Sequence, residues 1–123
     1  RVMADSDYRA DVEALLAECI DRDGGVMAIK AVARRPWGNR KPDTRTWYEP
    51  QRTPEGIAQG VRFALSTPGV DAFCTPSDKA TARLAIDATE RFEPLDATEW
   101  VALLSTDEDL IFPLTERAAP AWS

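Results

Sequence analysis

The chain has 123 residues, 29% of them charged and 44% hydrophobic, with a formal net charge of −6. That is enough for one small domain of globular composition. It contains no histidine. This excludes Ser-His and Cys-His nucleophile pairs, histidine acid–base chemistry and most histidine-based metal sites.

No apolar run reaches the roughly 18–20 residues of a membrane span, and the N-terminal stretch does not have the form of a signal peptide. Cys19 and Cys74 lie in apolar contexts with neither Cys-x-x-Cys nor zinc-ligand spacing. They read as two reduced core cysteines, and the expected compartment is cytoplasmic. The chain opens Arg1-Val2-Met3. The expectation is a numbering offset or a piece of a longer protein.

The charge is unevenly distributed. From Arg34 to Arg52 there are six basic residues (Arg34, Arg35, Arg40, Lys41, Arg45, Arg52) against Asp43 and Glu49. The remainder carries nine basic and nineteen acidic residues. An anionic ligand near this one segment is expected, and broad nucleic-acid binding is not.

In chain order, a first helix is predicted from about Ser6 to Arg22. Tyr8, Val12, Leu15, Leu16, Cys19 and Ile20 form its apolar stripe, with Asp5 or Ser6 as cap and Gly24-Gly25 as terminator. The run Val26 to Ala33 lacks alternation and reads as a strand buried on both faces. Lys30 interrupts it and needs a partner or a route to solvent. The basic segment carries Pro36, Gly38, Asn39, Pro42 and Pro50, so an irregular loop is predicted. Its aromatics, Trp37, Trp47 and Tyr48, predict an ordered loop that packs on the body.

Thr53-Pro54 is an N-cap followed by proline at the first helical position. Ile57, Val61, Ala64 and Leu65 form the buried stripe of the helix that follows. Gly60 lowers helix propensity by about 1 kcal/mol, which predicts close packing of a neighbour at that point. Pro68-Gly69 ends the helix, and a second strand is predicted from Val70 to Thr75. A third helix starts near Ser77 or Asp78, with Thr81, Leu84, Ala85, Ala88 and Phe92 along one face. A fourth begins at Asp96, with Glu99 completing a capping box and Leu95 and Trp100 at the staple positions. After Thr106 a loosely held tail is expected, with Leu110, Ile111, Phe112 and Leu114 docking on the body.

Strand, helix, strand, helix is the order of a βαβα unit, whose ligands bind at the C-terminal ends of the strands. One such end leads into Arg34-Arg35-Pro36-Trp37. The other leads into the start of the third helix, where free N–H groups and the helix dipole favour an anion. Ser77, Lys79 and Arg83 are candidate phosphate contacts there. Arg83 and Asp87 are spaced for an ion pair along the helix. In a right-handed unit the two ends are neighbours.

These residues resemble the aldo/keto reductase family. Gly25 to Arg34 looks like that family's seventh barrel strand and the start of its loop. Thr46-Trp47-Tyr48-Glu49-Pro50 is similar to a loop signature of one bacterial branch. Thr53 to Pro76 resembles the next helix and the eighth strand. Pro76 to Asp87 is similar to the adenosine-phosphate site. The likeness runs from about Asp7 to Leu104. It implies an α/β fold: a partial (β/α)₈ TIM-barrel segment with two parallel strands and about four helices, residues 1–106, followed by a tail at 107–123.

The resemblance further implies an oxidoreductase that moves hydride between NADP or NAD and a carbonyl or alcohol. Ile29, Lys30 and Ala31 would lie beside the nicotinamide and pyrophosphate. Ser77, Asp78, Arg83 and Asp87 would lie at the adenosine end. The family's catalytic Asp, Tyr, Lys and His belong to earlier strands, so no residue of this chain is assigned a catalytic role. The implied partner is the missing N-terminal barrel half, or a second copy meeting open sheet edges. Asp78 departs from the family pattern: it repels a 2′-phosphate and suits a ribose 2′-hydroxyl. Arg83 favours the phosphate. The competing reading is a non-catalytic module whose basic, aromatic segment 34–52 grips an anionic ligand or a protein partner.

Overall fold

The computed structural model describes residues 2–105. The proposed tail at 107–123, and the docking of Leu110, Ile111, Phe112 and Leu114, lie outside the described residues. After a short 3-10 turn at Val2–Ala4 come α1 (Ser6–Asp21), β1 (Met27–Ala28), β2 (Ala33–Pro36), β3 (Tyr48–Pro50), α2 (Pro54–Ser66), β4 (Ala72–Phe73), α3 (Lys79–Glu90) and α4 (Ala97–Leu104). The class is α/β with four helices, as expected.

Helix starts follow the sequence closely because each has a side chain that accepts from its orphan N–H groups. Asp5 accepts from the N–H of Asp7 and Tyr8, and Thr53 from Gly56. Asp78 accepts from Thr81. Asp96 and Glu99 complete the reciprocal capping box. The end of α1 differs from expectation. The left-handed residue there is Asp23, at φ 54°, and not a glycine. Aspartate tolerates that conformation better than most residues.

β1 and β4 pair in parallel, Met27 with Ala72 and Ala28 with Phe73. Asp71 fixes their entry: its carboxylate accepts from the Val26 N–H at 2.7 Å, and its own N–H donates to the Val26 carbonyl at 2.9 Å. The long strand predicted over Val26 to Ala33 is not formed. The backbone turns at Lys30, φ 60°, and the Ala33 N–H closes the turn on the Lys30 carbonyl at 2.9 Å. The residues beyond the turn belong to a second sheet. There β2 pairs antiparallel with β3, with a register irregularity between Ala33 and Arg35. The segment predicted to be irregular is therefore a hairpin, with its loop between Trp37 and Trp47. Proline blocks only the hydrogen bonds it would donate, so Pro36 and Pro50 are tolerated at the ends of these short strands.

The core lies where the Lys30 turn, α2 and α3 meet. Val32, Ile57, Val61 and Ala85 are at most 1% exposed, with Tyr48, Leu65, Phe73, Leu84 and Ala88 packed around them. Gly60 is the contact point. A Cβ there would lie 2.2 Å from the Ala31 carbonyl oxygen, so only glycine lets α2 approach this turn. α4 docks on α2 through Trp100, which stacks on Phe63 at 4.6 Å between ring centroids. Arg62 grips both Glu99 oxygens at 2.8 Å and donates to the Glu93 and Pro94 carbonyls.

The predicted stripe of α1 is mostly uncovered. Leu16 is buried, but Leu15 and Ile20 are 62% and 58% exposed. Leu16 and Ile20 lie against the turn at Gly69, and Arg9 donates to the Met3 carbonyl at 3.0 Å. Cys74 is exposed, not a core residue, and its sulfur lies 3.1 Å from the Met27 sulfur.

Candidate functional site

Both β1 and β4 end on the same side, because they are parallel. The chain leaving β4 passes through Pro76, which is buried, to the cap of α3. There the Asp78 carboxylate accepts from both the N–H and the hydroxyl of Thr81, at 2.9 and 2.7 Å. These bonds from Thr81 hold its pKa below the usual aspartate value. The neighbouring Ser77 hydroxyl donates 2.9 Å to the carbonyl of Arg45, which lies in the hairpin loop. That bond brings the basic loop and the helix start together. Between them is an open cavity of about 520 Å³, lined by Pro42, Asp43, Thr44, Arg45, Ser77, Asp78 and Lys79. The basic segment meets the helix start at Arg45, whereas the expected meeting was with the Arg34-Arg35 corner.

The contact is made by the loop's far end and not by the Arg34-Arg35 corner. Those arginines face Glu49, which sequence reasoning passed over. Glu49 is only 9% exposed. Its carboxylate lies 2.9 Å from Arg35, 2.7 Å from Arg40 and 3.6 Å from Arg34. The hydrogen bond from Arg35, aided by the three positive charges and opposed by burial, holds its pKa below the usual glutamate value. One carboxylate thus pins three of the six cations that made the segment look like an anion site. A signal was available: Glu49 is one of only two acids in a strongly basic stretch.

Two more contacts shape the loop. Arg52 pairs with Asp43 at 2.5 Å and lies 6.0 Å from the centre of the Trp37 ring. The Trp37 indole N–H donates to the Thr46 carbonyl at 2.8 Å. The aromatics of the loop divide: Trp37 and Tyr48 are half-buried, whereas Trp47 is 82% exposed. Arg45 and Lys79, which line the cavity, make no ion pair among the described residues.

Of the other site residues drawn from the sequence, Ile29, Lys30 and Ala31 sit just past the end of β1 but do not line this cavity. Ile29 is 67% exposed. Burial holds the Lys30 amine below its ordinary pKa. Ala31 presents its carbonyl to α2. Arg83 and Asp87 lie farther along α3, outside the cavity lining. Their expected ion pair is not formed among the described residues. Exposed pairs of this kind gain little in water and lose side-chain freedom.

Among the described residues no cluster of three or more His, Cys, Asp or Glu side chains is placed to hold a metal ion. No described helix is long and apolar enough to cross a membrane. Comparison with known proteins found no matching family model, no matching curated protein and no matching solved structure.

Proposed function

We propose that this chain is the C-terminal, cofactor-binding part of an NAD(P)H-dependent aldo/keto reductase, contributing the last two strands of a (β/α)₈ barrel. The observation that carries this reading is the uncovered face of the parallel pair. Parallel sheets normally have both faces buried. Here Ala28 and Phe73 face the helices, while Met27 and Ile29 are 61% and 67% exposed and Cys74 is exposed beside them. Among the described residues β1 and β4 pair only with each other. A barrel supplies what is missing: further strands on both edges, and an interior that covers this face.

In this reading the bound dinucleotide supplies the hydride chemistry. The chain's own residues place it. Ile29, Lys30 and Ala31 stand at the end of β1 on the nicotinamide side. Ser77 and Asp78 stand at the start of α3 on the adenosine side, Arg83 and Asp87 farther along the same helix, and Arg45 and Lys79 are the cations that line the cavity. Proton transfer to the carbonyl belongs to strands outside this sequence, so the chain alone does not reduce carbonyls. A cytoplasmic location goes with this reading and with its two free cysteines.

Two measurements test it. Sedimentation and thermal melting of the chain are expected to show self-association or a broad transition, because open strand edges invite pairing. A stable monomer with a sharp melt refutes the fragment reading. Titration with NADH and NADPH is expected to show binding that Arg83→Ala weakens. One observation favours the non-catalytic alternative, a module that binds a protein partner through the loop: Trp47 is 82% exposed at the hairpin. Its loss of pinned arginines to Glu49 weakens the case for an anionic ligand there. Dinucleotide binding unaffected by Trp47→Ala excludes that alternative.

A further inference from the structure

We draw no further inference here: the strongest candidate, the apolar face of the β1–β4 pair on which Met27, Ile29 and Cys74 lie exposed, is the surface on which the proposed function already rests, and nothing in the structure shows what covers it.

Discussion

Replacing Gly60 by alanine offers a sharp test of how the helices meet the sheet. In an exposed helix this change stabilises by about 1 kcal/mol, through propensity and reduced freedom of the unfolded chain. Here the new Cβ falls 2.2 Å from the Ala31 carbonyl oxygen and 3.2 Å from its carbonyl carbon. Contact between a methyl carbon and a carbonyl oxygen normally lies near 3.2–3.5 Å, so helix and turn must separate by about 1 Å. The obstacle is backbone and cannot rotate away. It is also anchored: Val32 is 1% exposed, and its carbonyl accepts from the Gln51 N–H at 2.8 Å. Overpacking of this kind costs about 3 kcal/mol at the upper end of the usual range. After the helix gain is subtracted, a net loss of about 2 kcal/mol remains.

Native-state amide exchange is a suitable assay, because it reads local opening whether or not the whole chain melts cooperatively. Amides from Ile57 to Leu65 should exchange about 30-fold faster in Gly60→Ala. Gly56→Ala is the control. Its Cβ would meet the ends of the Gln51 and Thr53 side chains at 3.0 and 3.2 Å. Gln51 can swing aside, so exchange there should change by less than about threefold. Unchanged or slower exchange in Gly60→Ala would refute the close contact and the core built around it.

Three further outcomes are expected. Glu49→Gln leaves three guanidinium groups without their carboxylate, and the β2–β3 amides should exchange about tenfold faster. The same bond is pH-dependent. The folded pKa of Glu49 is depressed, so its contribution is complete above the unfolded glutamate value and is lost as pH falls through the folded value. Hairpin protection should therefore hold at neutral pH and fall only under acid conditions, and protection lost between pH 8 and 6 would contradict the assignment. Trp100→Ala removes the stack on Phe63 and should raise exchange in α4 by about tenfold while sparing α3, as followed by peptide-resolved mass spectrometry.

The helices were legible from local signals, and the reason is local physics. Asp5, Thr53-Pro54, Asp78 and the Asp96–Glu99 box each satisfy donors only a few residues away. Gly60 also spoke plainly, since a costly residue inside a good helix marks a close neighbour. The strands were less legible. Val26 to Ala33 reads as one apolar run, and nothing in it announces that Lys30 adopts a positive φ and divides the run between two sheets. Pairing partners that lie 45 residues apart, as Met27 and Ala72 do, leave no local trace.

The same limit applied to the basic segment. Composition made it an anion site, because composition counts charges without their partners. Folding brings Glu49 under Arg34, Arg35 and Arg40, and it moves the cavity to the loop's far end beside Asp78. The sequence by itself determined the helix starts, the order of the helices and the place where one helix must approach its neighbour. Only the tertiary structure decided which charges are spent and which face a cavity, because burial and pairing depend on contacts between residues far apart along the chain.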